Sequence, residues 1–486
     1  MHKGTICVQL RMRDVILLVF SSLEFIFRFF PVFIIIYYIV SEKYRNSVLL
    51  LGSLIFYGMS EFVYVGLLLF SAVVNGELNN LHGLIYHSPG MLLLLSVAVN
   101  YSTGRWIPGK NGKRRKSVLA IGVLYNMGVL AAFKYTRFLP LPIGISFYTF
   151  QAVSYLADIY RGVITPDKKI SRFATYLCMF PQLTAGPLVS YEQIRPQLSE
   201  RRYSLRMLER GLRTFVWGLA SKVLLANRLG ILWNEIQTIG FKSISTPMAW
   251  LGAFTFSMEI YFVFLGYSLM AIGVGRMLGF YLPENFNMPY MAKSVTEFYR
   301  RWHMTLGAWF RKYVYIPLGG NRKGIVKTCR NLLVVWALTG IWHGAGWNFI
   351  LWGSSLGLLI ILERLIWLKW LEKSRVVCRL YILFVIPVTW MMFAITDIRE
   401  LWIYFERMFG TVSAGARINP SDFSDAVRNY WPLLAAGLLF CTSLPGKLYS
   451  LIKNRFLEAL LLLLVFWLSI YYLYVEGVNP FMYFRF

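Results

Sequence analysis

The chain has 486 residues, of which 57% are hydrophobic and 17% aromatic, and its mean hydropathy is +0.54. Soluble domains use roughly 45–50% apolar residues, so this composition excludes an ordinary soluble fold and requires lipid around much of the surface. The formal charge of +27 calls for no nucleic-acid partner, because orientation in a membrane and attraction to anionic lipid account for it.

The first apolar run follows Arg11 and Arg13, carries Glu24 and Arg28, and lacks a small-residue cleavage site. It reads as a retained first span rather than a removed signal. From there to near residue 476, apolar runs long enough to cross the hydrocarbon core recur, predicting roughly eleven to thirteen helical segments. No alternating barrel pattern lies between them, so helices must satisfy the backbone inside the bilayer. The predicted fold is an all-α, polytopic membrane bundle, read as a single multi-span domain over 1–486 in a cell membrane. Basic loops at 105–116, 168–172, 195–213, 300–330, 369–379 and 447–455 fall on the cytoplasmic side by the positive-inside rule. The links at 136–138, 237–247 and 397–425 then face outward.

Two stretches are too interrupted for simple spans. FATYLCMFPQLTAGPLVSY, over 173–191, contains Pro181, Gly186 and Pro187, which at membrane depth need protein or water around them; a re-entrant hairpin lining a cavity is expected. Residues 296–316 read as one amphipathic helix at the cytoplasmic interface, with Phe298, Trp302, Trp309 and Tyr313 at helical spacing and Arg300, Arg301, Arg311 and Lys312 between them. Cys7, Cys178, Cys329, Cys378 and Cys441 are scattered, without metal-ligand or disulfide spacing, so no metal site is expected.

The chain has five histidines: His2, His82, His87, His303 and His343. His343 lies in NLLVVWALTGIWHGAGWNFILWG, where an ionisable group inside or at the edge of a span implies a function. Gly340, Gly344 and Gly346 bracket it and allow a substrate or second helix to come close. Trp342, Gly344, Trp347, Asn348 and Trp352 are expected to line the space. Such an imidazole suits a general base that takes a proton from an attacking hydroxyl; the alternative is a histidine bonded to a carbonyl that packs the helix end. His303 is either a second functional imidazole or an ordinary interfacial residue. The turn PLGGNRKG, Pro317 to Gly324, combines backbone amides with Arg322 and Lys323 and reads as either a phosphate nest or a tight solvated loop. No GxSxG serine and no glycosidase-like carboxylate pair is present.

Read together, these motifs resemble the membrane-bound O-acyltransferases, and among them the bacterial branch of the alginate O-acetyltransferase membrane subunit and its peptidoglycan-acetylating relatives. The resemblance covers about 19–486 and rests on PIGISFYTFQAVSYLADIYRG, FPQLTAGPLV, PENFNMPYMAKSVTEFYRRWHMTLGAWFRKYVYIPLGGNRKG, GIWHGAGWNFILWG and the closing NPFMYFRF; residues 140–367 carry the catalytic motifs. It implies that His343 matches the family's catalytic histidine and His303 its second one. It further implies a central tunnel through which an acyl group passes from a cytoplasmic thioester to an acceptor on the other face. The donor implied is acetyl-CoA, a substrate rather than a tightly bound cofactor, with Arg311, Arg322 and Lys323 as phosphate contacts. The implied partner is an extracytoplasmic esterase or transferase that receives the acyl group, the final acceptor being a cell-envelope polysaccharide. Relatives usually carry acidic residues where Val263, Leu269 and Lys312 stand, a histidine at Leu356 and an arginine at Ala394. D-alanyl transfer to teichoic acid is the alternative within the class. A transporter or flippase, or a degenerate scaffold, is the alternative outside it.

Overall fold

The computed structural model describes residues 18–57, 89–109, 112–136, 141–142, 144–183, 186–201, 203–371, 373–410 and 418–476. Among them the chain is helical, with no strand, and it divides into two compact units, 1–184 and 185–486. Seven described helices are long and apolar enough to cross a membrane, or eight if a bent pair is one span. The expected eleven to thirteen segments included runs that fold as shorter pieces, such as Phe25–Ile39, and the run at 58–88 lies outside the described residues, as do 1–17 and 477–486.

The first unit contains α1 (Phe30–Ile39), α2 (45–57), α3 (Pro89–Trp106), α4 (Gly112–Tyr135), α5 (Ile145–Arg161), α6 (Ile170–Cys178) and α7 (Phe180–Leu183). Its polar contacts replace the water that a membrane lacks. Asn100 on α3 and Asn126 on α4 exchange side-chain amide hydrogen bonds at 3.0 and 2.6 Å while fully buried, so neither amide is left unsatisfied. Residues 173–183 are buried throughout and the helix breaks at Met179, as the proline-containing run predicts. The centre of the expected re-entrant hairpin, 184–185, lies outside the described residues.

The second unit begins with α8 (Tyr191–Ser199), then α9 (Leu205–Ala220), which continues through a π-helical turn, Ser221–Asn227, into α10 (Arg228–Ile239). Next come α11 (Thr246–Met277), the short α12 (Val295–Arg301) and α13 (Met304–Phe310), and the hairpin α14 (Ile325–His343) and α15 (Trp347–Leu362). The last helices are α16 (Leu368–Leu371), α17 (Arg375–Ala394), α18 (Ile398–Met408), α19 (Asp422–Phe440), α20 (Leu444–Ser450) and α21 (Arg455–Glu476). Glycine decides how closely the long helices approach. A Cβ on Gly218 would lie 2.7 Å from the Gly266 carbonyl oxygen, and one on Gly211 2.7 Å from that of Gly273, so α9 and α11 meet backbone to backbone.

The interfacial segment differs from its expected form. Instead of one helix over 296–316, α12 stops at Arg301, Trp302 is extended (φ −102°, ψ 127°), and His303 adopts the left-handed conformation (φ 43°) before α13 starts. The cause lies in the preceding segment. The Asn287 amide donates to the Arg301 carbonyl at 3.0 Å and the Met304 amide to the Asn285 carbonyl at 2.9 Å. The buried Asn285 side chain also accepts from the Thr305 hydroxyl at 2.6 Å. These tertiary bonds outweigh continued helix.

Candidate active site

Helix α14 ends at His343 because Gly344 is fully extended (φ −175°, ψ 170°), and α15 restarts after Gly346. This turn lets the two arms close on each other. A Cβ on Gly340 would lie 2.4 Å from the Phe349 carbonyl oxygen, and one on Gly353 2.4 Å from that of Trp336.

The His343 imidazole sits at the top of this hairpin, half-buried, against three rings. Trp342 lies 4.6 Å away between centroids, Trp352 5.1 Å away at 90°, and Phe393 5.1 Å away at 82°. Asn348, fully buried, donates its Nδ2 to the carbonyls of Met392 (3.2 Å) and Phe393 (3.3 Å). Those are C-terminal carbonyls of α17 that lack helical partners, so Asn348 fixes the end of α17 and with it the Phe393 ring.

His303 approaches the same place from the loop between α12 and α13. Its ring lies 6.5 Å from the Trp342 ring and 6.4 Å from Phe286. Both imidazoles therefore lie within 6.5 Å of the Trp342 ring. Behind it, Trp302 packs on Trp390 at 4.9 Å, and Trp390 stacks on Trp352 at 5.9 Å, completing a wall of aromatic rings. A left-handed histidine is strained, and the Asn285 and Thr305 bonds, extended by the Leu188 amide donating to the Thr305 hydroxyl at 2.9 Å, hold it there.

Buried polar atoms of this region without a hydrogen-bond partner among the described residues include His303 Nδ1, Trp352 Nε1, Trp390 Nε1 and Asn348 Oδ1. Such atoms are rare inside proteins because desolvation costs about 1–3 kcal/mol each. Trp352 Nε1, on a ring that packs against His343, is a donor suited to a ligand oxygen.

His303 lies outside the long apolar helices, and burial pushes its pKa from 6.5 down to about 4. In the unfolded chain it stays near 6.5, so between these values the unfolded state binds the extra proton. Stability from this group is complete above pH 6.5 and is lost as pH falls toward 4. Thermal unfolding in detergent is expected to lose on the order of 3 kcal/mol over that window beyond what His303→Asn loses. Asparagine tolerates the left-handed backbone, which makes it the fair comparison. Identical acid sensitivity in the two proteins would contradict a neutral, buried His303.

Not all the expected wall residues join. Trp342 and Gly344 are buried, Gly344 against the Phe349 ring, whereas Trp347 is 75% exposed. Along α15, Asn348 and Trp352 share the inward face while Trp347 and Leu351 face out. Arg322 and Lys323 are exposed in one turn, and Arg311 is exposed at the end of α13. The turn is not an open amide nest: the amides of Leu318, Gly319, Gly320 and Arg322 donate to backbone carbonyls nearby, and Asn331 Nδ2 holds the Leu318 and Gly320 carbonyls. Its side-chain cations remain available to an anion. Lys312 forms an ion pair with Glu192 at 3.1 Å.

Glu363 is a residue the sequence reading missed. It is fully buried, in the π-helical turn that continues α15, and accepts from the amides of Val295 and Thr296 and the Thr296 hydroxyl. An acid standing inside the apolar run LLIILERLIW is itself a signal of function.

Comparison with known proteins gives the family of the chain. The model of the membrane-bound O-acyltransferase family matches residues 167–403. A probable alginate O-acetylase AlgI from Pseudomonas aeruginosa is 35% identical over 81% of this chain and 75% of its own length. A peptidoglycan O-acetyltransferase from Helicobacter pylori is 32% identical over 72% of this chain and 71% of its own. A teichoic acid D-alanyltransferase from Streptococcus thermophilus is 26% identical over 48% of this chain and 59% of its own. The chain belongs to the membrane-bound O-acyltransferase family, as a multi-pass membrane O-acyltransferase.

Proposed function

We propose that the protein moves an acetyl group from cytoplasmic acetyl-CoA toward a cell-envelope polysaccharide, with His343 as general base. The observation that carries this reading is that two imidazoles, His303 and His343, approach one ring, Trp342, within a cluster of aromatic side chains. His343 takes the proton of the acceptor hydroxyl as its oxygen attacks the thioester carbon. The C–O bond forms, the C–S bond breaks, and the proton passes from the imidazole to the departing thiolate. Trp352 Nε1 is a donor suited to the oxyanion of the tetrahedral intermediate. His303 stays neutral and orients the reacting groups. The acetylase names of the relatives above support acetyl as the group and an envelope glycan as its destination. The immediate acceptor in this reading is a serine of an extracytoplasmic partner esterase or transferase, and anionic lipid surrounds the basic cytoplasmic loops.

On the donor side, Arg311, Arg322 and Lys323 contact the phosphates of acetyl-CoA. Arg322→Ala combined with Lys323→Ala is expected to raise KM for acetyl-CoA about threefold to tenfold, more at low salt, with kcat within about twofold. S-acetyl-pantetheine, which lacks those phosphates, should be used equally by both proteins. The direct test is transfer of label from radioactive acetyl-CoA in inside-out vesicles containing the native envelope components. Protein-dependent labelling of an envelope acceptor is expected; labelling only from a D-alanyl carrier thioester would redirect the reading to D-alanyl transfer.

A further inference from the structure

We propose that Glu363 is a positioning residue for His303, acting through α12; this rests on the reading of the two-histidine centre given above. Helix α12 is seven residues long, and its first amides have no intrahelical partners. Ser294 Oγ accepts from the Glu297 amide at 3.0 Å, and Glu363 takes the other two, Val295 at 2.5 Å and Thr296 at 2.9 Å, together with the Thr296 hydroxyl at 2.7 Å. Val295 and Glu363 are both fully buried. Without the carboxylate, two backbone donors at the start of α12 lose their partners, one of them, Val295, fully buried.

The other end of α12 shows what this grip serves. Tyr299 packs on Trp336 at 4.7 Å and on Trp352 at 6.4 Å, while Phe298 stacks on Trp302 at 5.6 Å, directly before His303. Trp352 is the same ring that packs on His343. Helix α15 and its π-helical continuation thus touch α12 twice, at Trp352 and, about 16 Å further along at 1.5 Å per residue, at Glu363. They fix the rotation and height of the helix that delivers His303. His303 itself is strained, so it depends on supports that prevent relaxation.

The variant Glu363→Gln keeps the shape but turns an NH2 toward donors. It is expected to remain folded and monodisperse in detergent, with kcat lowered about tenfold to hundredfold and KM for acetyl-CoA within about twofold. In a His303→Asn background the same change should have almost no further effect, because the two residues act through one geometry. An equal loss in both backgrounds would overturn the proposal, as would full activity of Glu363→Gln while His343→Ala is inactive. If Glu363→Gln does not fold, Thr296→Val, which removes one of the three bonds, carries the same comparison with an expected loss of about threefold. A second measurement is independent of turnover. With [15N]histidine labelling and five histidines, the His303 signals, assigned by their loss in His303→Asn, should shift in Glu363→Gln or Thr296→Val while those of His343 stay in place. Unmoved His303 signals would overturn the proposal even if activity of His343→Ala showed the catalytic reading itself to be wrong.

Discussion

Replacing His343 by alanine is expected to lower acyl transfer by about 10²- to 10⁴-fold, the usual contribution of a positioned general base, at unchanged membrane abundance. The ring is half-buried at the end of α14, beside the extended Gly344, and the hairpin closes through backbone contacts at Gly340 and Gly353 rather than through the imidazole. Its removal should therefore spare the fold. The loss should appear in kcat with little change in KM for acetyl-CoA, because the proton is transferred only in the transition state. His343→Gln, which keeps polarity but cannot take the proton, should be as impaired as His343→Ala. Activity within about twofold of wild type in either variant would remove His343 from the chemistry. A loss matched by a fall in folded protein would make it a packing residue instead.

The sequence made some of this centre legible and hid the rest, for physical reasons. His343 was legible because an ionisable group in an apolar run needs an explanation, and its flanking glycines announced a close approach. Gly353, equally close to a backbone carbonyl, is harder to read because it lies nearly two turns into the partner helix, away from any ionisable residue. Composition alone puts Trp347 in the wall. Its helical phase opposes it: Trp347 and Leu351 share the exposed face, and Asn348 and Trp352 the buried one. The break at His303 could not be read locally, since residues 296–316 have an unbroken amphipathic pattern. The break is imposed by Asn285 and Asn287, whose bonds to Arg301, Met304 and Thr305 are tertiary.

The closure of the hairpin gives the other large effect. Gly340→Leu is expected to destabilise the protein by more than about 3 kcal/mol and to prevent most of it from accumulating in folded form. The added Cβ would lie 2.4 Å from the Phe349 carbonyl oxygen and 3.1 Å from its carbon. Both belong to the α15 backbone, so no rotamer change relieves the overlap. The arms must separate, and separation moves Trp352 away from His343, so any protein that does fold should also be impaired in transfer. Gly357 and Gly128 provide the controls. At Gly357 the nearest atom is the Trp336 Cβ at 3.1 Å, and at Gly128 nothing lies within 4 Å. Gly357→Ala should cost less than Gly340→Leu, and Gly128→Ala, within α4, should be neutral or stabilise by about 0.4–1 kcal/mol through the unfolded chain. Fluorescence-detected size exclusion after a heating series would rank the three. A Gly340→Leu protein as stable as Gly128→Ala would mean that α14 and α15 do not meet at backbone distance, and the placement of His343 against Trp352 would fall with that contact.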